Sequence, residues 1–120
     1  MAVLACSTVD QDRRAQWLRG VLDLCVLGLL ARGDSYGYEL AQSLQSAGLG
    51  TIQGGTLYPV LLRLQRSGLV TVYWREGGGG PARKYYTISA AGLAVLGEAA
   101  GQWAAFAGGV GAIIQERTAR

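Results

Sequence analysis

Hydrophobic and small side chains recur at helical spacing through the first third of the chain. Between residues 11 and 31 they form two adjacent rows with neighbours three or four residues apart: Trp17, Val21, Leu24 and Gly28, and Leu18, Leu22, Cys25 and Leu29. Rows of this kind predict one helix with a wide apolar face. Asp10 is suited to cap its start, and Gly33 is suited to end it.

A second, shorter helix is predicted directly after this one. Ser35 can cap it, residues 36–47 carry it with Leu40 and Leu44 on one face, and two glycines follow its last residue.

A third helix combines an apolar row with a basic face. Pro59 lacks an N–H group and clashes with a preceding turn, so it should lie in the first turn. We therefore expect the helix to begin at residue 55 or 56 and to end at Gly68. Its buried side is predicted by Leu57, Leu61 and Leu64, and its opposite side carries Thr56, Pro59, Arg63 and Arg66.

The period then changes to one that is typical of strands. Residues 69–74 (LVTVYW) and 85–88 (YYTI) are short, β-branched and aromatic. Between them lies EGGGGPA, which cannot form a helix and offers no side chains to a core. Two short strands joined by such a loop predict a hairpin. Tyr85 and Tyr86 point to opposite faces of it, so one of them should be buried.

The last segment predicts a long helix capped by Ser89. Its apolar positions alternate at intervals of three and four over about three heptads: Leu93, Leu96, Ala100, Trp103, Ala107, Val110 and Ile114. Six glycines weaken it, so it should need a second surface to pack against. A membrane span is the alternative interpretation, but Glu98, Gln102 and the Ala/Gly composition argue against it.

Composition restricts the function classes. Half of the 120 residues are hydrophobic and 16% are charged, which is apolar for a small monomer and favours a homodimer. The chain has no histidine and two cysteines, so we expect no metal site, no cofactor and no catalytic site. The opening MAVLAC lacks the charged region of a signal peptide, so we expect a cytoplasmic protein.

The positive charge is concentrated in one segment. Residues 56–88 contain five basic side chains against Glu76 alone, a net charge of +4, whereas the rest of the chain carries six basic and seven acidic groups. The segment is either a solvated face or a surface for nucleic acid.

The order of these elements predicts a mainly α fold with a small β-hairpin, namely a winged helix-turn-helix followed by a long helix. We expect an N-terminal tail over residues 1–10, a DNA-binding domain over 11–88, a dimerisation helix over 89–115 and a tail over 116–120. The third helix takes the recognition position in the major groove, and the hairpin is the wing.

Three tetrapeptides in this order resemble the PadR family of transcriptional regulators over about residues 18–103. They are GYEL at residues 37–40, TLYP at 56–59 and RKYY at 83–86. The resemblance implies a dimeric DNA-binding protein, usually a repressor, that often responds to a small molecule and dimerises through its last and first helices. The chain differs from the family pattern at Tyr36, where histidine is frequent, and in its glycine-rich last helix.

Basic and hydroxyl side chains near the recognition helix and the wing are the predicted DNA contacts. The partner would be double-stranded DNA carrying a pseudo-palindromic operator. Core packing is the alternative for the tyrosines, and solvation of a helix end or strand edge is the alternative for the cations. The predicted contacts are Tyr36, Tyr38, Thr56, Tyr58, Arg63, Arg66, Arg83 and Lys84.

Trp17 and Trp103 allow two interpretations. Both can pack in the core or a dimer interface, or they can form a stacking site for a planar aromatic ligand that releases the repressor from DNA. A winged-helix protein that binds other proteins and not DNA is the alternative function.

Overall fold

The computed structural model describes the backbone of residues 2–118 and the side chains of residues 10–115. Five helices and three strands follow one another in the part that it describes: α1 (Ala2–Arg19), α2 (Leu22–Arg32), β1 (Ser35–Tyr36), α3 (Gly37–Ser46), α4 (Gly54–Arg66), β2 (Val70–Arg75), β3 (Arg83–Ile88) and α5 (Ala90–Thr118). The predicted fold class, a winged helix-turn-helix with a long last helix, is confirmed.

The single first helix predicted from the sequence is wrong. It is divided at Gly20 and Val21, where the Val21 N–H bonds to the Leu18 carbonyl three residues back, at 2.9 Å, and Val21 leaves helical geometry with φ −132° and ψ 2°. Because the chain turns here, Leu18 is buried, whereas Trp17 is 67% exposed.

The start of this region also differs from the prediction. α1 begins at Ala2, so the backbone of residues 2–10 is helical, and Asp10 lies inside the helix and does not cap it. Asp10 instead pairs with Arg14 at 3.1 Å, one turn further along α1.

The core lies between α2, α3, α4 and the sheet. α2 is central, because it contacts α3, α4, β3 and α5. Burying each leucine of this cluster contributes about 1.5–3 kcal/mol. The fully buried side chains are Leu22, Val26, Leu27, Leu30, Leu40, Leu44, Leu57, Leu61 and Val70.

The start of α3 differs from the sequence prediction by one residue. Tyr36, in extended geometry, is its N-cap, and Ser35 lies one residue earlier in β1. The Ser35 Oγ donates a hydrogen bond to the carboxylate of Glu39 at 2.7 Å and does not cap the helix. Gly48, with φ +89°, follows the helix in the left-handed conformation that glycine adopts readily.

α4 also begins earlier than predicted. It starts at Gly54, so Pro59 is its sixth residue and not part of the first turn. Pro59 is exposed, and the Gly55 carbonyl four residues back receives no N–H from it. The helix ends at Arg66 before Gly68, as predicted, with Gly68 at φ +77°.

The wing belongs to a three-stranded antiparallel sheet with the order β1-β3-β2. The hairpin register runs from Val70 opposite Ile88 to Arg75 opposite Arg83. The short strand β1, which the sequence did not predict, places Tyr36 opposite Tyr85 at the other edge.

α5 is attached to the domain at its first turns and then leaves it. Ser89 caps it as predicted, since its Oγ accepts the Gly92 N–H at 3.0 Å. The seven heptad positions predicted for this helix are the expected dimer contacts and are here called the dimer seam. One of them, Leu96, packs in part against the core of its own chain. The helix backbone runs to Thr118, past the predicted end at residue 115. The radius of gyration is 16.7 Å, against about 13.6 Å for a compact chain of this length.

Candidate nucleic-acid interface

The outer face of α4 is basic and free of acidic side chains. The predicted positions Thr56, Arg63 and Arg66 are all exposed, as is Pro59 between them. Leu62 is also exposed on this helix and was not predicted as a surface position. The helix thus offers cations, a hydroxyl group and an apolar side chain, which suit phosphates and base edges.

Tyr58 lies where α4 meets the start of α3. Its ring edge lies so close to Gly37 that a Cβ atom at residue 37 would collide with the phenol, and its other edge lies beside Gly54. Core packing was the alternative prediction for Tyr58, and the observed contact is with the start of α3. The side chain is still 52% exposed and presents its remaining surface beside the basic face.

Three cations lie at the base of the wing, Arg75 and Arg83 on one face of the sheet and Lys84 on the other. Arg75 lies directly opposite Arg83, and the neighbouring pair places Lys84 opposite Trp74. Like charges in direct register cost stability. Among the described side chains the one ion pair is Arg14 with Asp10, so none of the three cations has a carboxylate within 4 Å. The three residues Arg75, Arg83 and Lys84 are here called the wing base, and their unpaired positive charge suits an anionic partner.

Aromatic rings support these cations. The guanidinium of Arg83 lies 4.6 Å from the ring centre of Tyr36 and donates a hydrogen bond to its hydroxyl at 3.1 Å. Arg75 lies 5.3 Å from the ring centre of Tyr85, and the Lys84 ammonium lies 5.6 Å from that of Tyr86. Such cation–π contacts are worth about 0.5–1 kcal/mol each at exposed sites.

The rings also contact one another across the outer face of the sheet. Tyr36 packs on Tyr85 at 5.3 Å between centroids, and Tyr85 stacks on Tyr73 at 5.6 Å with 17° between the planes. The Tyr73 hydroxyl donates a hydrogen bond to Asp34 Oδ2 at 2.8 Å. This bond is the main reason why the pKa of Tyr73 is raised above its ordinary value. The connected rings of Tyr36, Tyr85 and Tyr73 are called the tyrosine layer below.

One of Tyr85 and Tyr86 was predicted to be buried, and the buried residue is Tyr86. Burial raises the pKa of its hydroxyl. Tyr38 is exposed at the start of α3, and its hydroxyl accepts a hydrogen bond from Gln42 Nε2 at 3.0 Å.

Four side chains of this region were missed by the sequence analysis. Arg75 was counted in the basic segment but not as a contact, and its position opposite Arg83 follows only from the strand register. Trp74, 67% exposed, was treated as a strand residue and not as surface. Asp34 and Tyr73 gave no local signal, because their partners lie 39 residues apart in the sequence.

The two tryptophans proposed for a ligand do not form one site within a single chain. Trp17 lies on α1 and Trp103 on α5, and these helices share no extensive contact. Trp103 is 42% exposed and lies 5.9 Å from Phe106, whose ring is itself 65% exposed. Phe106 was not among the predicted interface residues, because it falls outside the strict heptad.

None of the helices that the structure describes is both long and apolar enough to cross a membrane.

An open groove of about 860 Å³ lies between α2 and α3, with Cys25 and Leu29 on its wall and Asp34, Ser35 and Glu39 at one end. Burial, reinforced by the nearby Asp23 carboxylate, raises the pKa of the Cys25 thiol.

Comparison with known proteins identifies the family. The sequence profile of the transcriptional regulator PadR-like family matches residues 26–98. A protein of uncharacterised function from Lysinibacillus sphaericus is 36% identical over 93 residues, which cover 76% of this chain and 85% of that protein. The transcriptional regulator YqjI of Escherichia coli is 41% identical over 61 residues, but these cover 49% of this chain and 30% of YqjI.

A solved structure supports the same family assignment. The PadR family transcriptional regulator from Eggerthella lenta is 37% identical, with a TM-score of 0.75 over 92% of this chain and 96% of that one. These similarities favour DNA binding over the alternative of a protein-binding module. The chain therefore belongs to the PadR-like family of transcriptional regulators, and it is a DNA-binding regulator and not an enzyme.

Proposed function

We propose that the protein is a homodimeric repressor that binds a pseudo-palindromic operator and is released from it by a small planar ligand. The observation that carries the DNA-binding part of the proposal is the surface of α4 and the wing base, which is basic and whose cations are paired with none of the carboxylates that the structure describes. Each copy would place α4 in a major groove and its wing base on the adjoining phosphates. Its site of action would be the cytoplasm.

The proposed contacts fall into two groups. Thr56, Tyr58, Arg63 and Arg66 lie on α4, where side chains reach base edges or the phosphates that border the groove. The second group contacts phosphates and sets the affinity and not the sequence preference. It comprises Tyr36, Tyr38, Arg83 and Lys84, together with Arg75.

The DNA contact is tested by the salt dependence of binding. Arg83→Ala with Lys84→Ala should weaken binding to all duplexes and lower the slope of log K against log salt by about 0.9 per lost phosphate contact. Arg13→Ala with Arg32→Ala is the matched control, because it removes the same charge from helices outside the wing. Equal slopes for the two double variants would show that the wing base is not a phosphate clamp.

The dimer is supported by surface that a monomer leaves uncovered. The accessible area is 8287 Å², against about 6,200 Å² for a compact monomer of 12.6 kDa. On α5 the seam residues Leu93, Trp103, Val110 and Ile114 are exposed. A second apolar row, which includes Phe106 and Ile113, flanks that seam, so the helix presents a face wide enough for two partner helices.

Light scattering tests the dimer. Val110→Asp should give monomers and lose operator binding, because it places a charge in the seam outside the core of the chain. Ala94→Asp adds the same charge to another face of α5 and should remain dimeric. Leu96→Asp is less informative, since Leu96 also packs against its own core. A wild-type monomer at micromolar concentration would refute the proposal.

The ligand part of the proposal rests on Trp103. Ala99, Ala100, Ala104 and Ala107 surround it on α5 and leave room beside the indole, where the dimer axis can bring two such rings near a flat molecule. Trp17 of the partner copy is the proposed second wall, and Glu98 favours a cationic ligand.

Flat aromatic dyes test this site through tryptophan emission in a Trp74→Phe background. Quenching should survive Trp17→Phe and disappear in Trp103→Ala with the dimer intact. Quenching that is indifferent to Trp103 would exclude the site.

A further inference from the structure

Asp34 places a negative charge beside the wing, on a surface that otherwise collects cations. It lies between α2 and β1, and its carboxylate accepts a hydrogen bond from Tyr73, which is the fourth residue of β2. β2 is an edge strand, so the bond fastens the outer strand of the hairpin to the body of the domain. A carboxylate at this position repels DNA phosphates, so it lowers the affinity for DNA unless it also has a structural role that favours binding.

The tyrosine layer links this bond to two cations of the wing base. Tyr73 stacks on Tyr85, which carries Arg75 over its ring and also packs on Tyr36. Tyr36 in turn holds the guanidinium of Arg83 through its ring face and its hydroxyl. A continuous set of contacts therefore runs from the Asp34 carboxylate to both arginines.

We propose that Asp34 and Tyr73 are positioning residues for operator binding: their hydrogen bond fixes the hairpin at the angle at which Arg75 and Arg83 meet DNA phosphates. Neither residue needs to touch DNA. The inference rests on the proposed contact between the wing base and DNA. The Tyr73 hydroxyl is protonated, and therefore a donor, throughout the physiological range, because the ordinary tyrosine pKa is about 10 and that of Tyr73 is raised above it.

Simple electrostatics and positioning predict opposite signs for the same substitution. Asp34→Ala removes a charge that repels phosphates, so electrostatics alone predicts tighter binding. Positioning predicts weaker binding, by about fivefold for each wing, the equilibrium factor of one hydrogen bond. Tyr73→Phe leaves the net charge and the ring stack unchanged and should weaken binding by at least as much, because the charge of Asp34 remains. The double variant should lose no more than either single variant, since both remove one interaction.

Two further variants separate positioning from a general loss of structure. Asp34→Asn keeps an oxygen that accepts the Tyr73 hydrogen bond, and it should restore most of the affinity. Asp12→Ala is the matched control, because it removes an exposed carboxylate from α1 and not from the wing, and it should not weaken binding. Salt slopes should fall in Asp34→Ala and Tyr73→Phe, since Arg83 no longer holds its phosphate.

Trp74 reports on the wing without DNA. In a Trp17→Phe, Trp103→Phe background its fluorescence anisotropy should fall when Tyr73→Phe is added, with the thermal unfolding temperature nearly unchanged. Unchanged anisotropy, or tighter binding by Asp34→Ala, would overturn the inference. If Tyr73→Phe leaves affinity unchanged while the Arg83, Lys84 double variant loses it, the positioning role fails and the DNA contact stands. If neither changes the affinity, the wing base itself is not the contact.

Discussion

Gly92 is the residue at which α5 crosses the start of the wing. A Cβ atom built at this position would collide with the carbonyl oxygen of Leu69, lie 2.6 Å from Ile88 Cγ1 and lie 3.2 Å from the Leu69 carbonyl carbon. The obstacle is mainly backbone, so rotation of a side chain cannot relieve it. Gly92→Ala should therefore push α5 away from residues 68–69.

The size of the effect follows from the contacts at this crossing. Carbon atoms pack at about 3.5–4 Å, so the helix must move by about 1 Å. That movement would break the hydrogen bond from the Ser89 N–H to the Leu69 carbonyl, now 3.0 Å long, at a cost of about 1 kcal/mol. Overpacking costs about 1–3 kcal/mol more, and replacing a helical glycine returns about 1 kcal/mol. We expect the free energy of unfolding to fall by about 1–3 kcal/mol.

Urea unfolding followed by circular dichroism measures this change, with all variants at equal protein concentration because a dimer's stability depends on it. Gly97→Ala is the matched control on the same helix. Nothing lies within 4 Å of a Cβ at residue 97, so it should stabilise the protein by up to about 1 kcal/mol. Equal or greater stability of Gly92→Ala relative to the wild type would refute the reasoning.

Three further predictions concern single side chains. An absorbance titration should find Tyr73 ionising above the ordinary tyrosine pKa. The stability that its hydrogen bond contributes is complete below about pH 10 and is lost as the pH rises through the raised pKa. Tyr73→Phe should not show this loss of stability. In a Cys6→Ser background, Cys25 should react with a disulfide reagent at pH 8 more slowly than free cysteine, because burial raises its pKa; an equal rate would contradict this. Gly37→Ala should displace the Tyr58 ring and destabilise the fold by about 1 kcal/mol, and adding Tyr58→Ala should recover part of that loss in urea unfolding; additive losses would count against the contact.

Local patterns predicted most of the elements but not where the first helix divides. The two apolar rows continue at helical spacing across Gly20, so the sequence favoured one helix. The break depends on tertiary packing, since it lets α2 occupy the centre of the core while Trp17 points outward. Ser89 and Gly68, by contrast, were predicted correctly, because the cap bond of Ser89 to the Gly92 N–H and the positive φ of Gly68 involve only the backbone within a few residues.

The basic face of α4 was predictable because leucines three and four residues apart fix which side of a helix is buried. The tyrosine layer was not, because it depends on β1, a strand of two residues that exists only through its pairing with β3. The exposed position of Phe106 likewise depends on how far α5 extends beyond the core, which no local pattern records.

The direct passage from β3 into α5 has a mechanical consequence. Ser89 alone separates the two elements, and it is held to the neighbouring strand start by the bond from its Oγ to the Gly68 carbonyl at 2.7 Å. β3 and α5 therefore form one continuous unit that bends at Ser89. The helix is about 43 Å long and the strand about 20 Å. The packing of two α5 helices against each other would set the angle of this bend. A change of only ~5° in that angle would displace the far end of β3 by ~1.7 Å, which is enough to lengthen a phosphate hydrogen bond beyond its effective range.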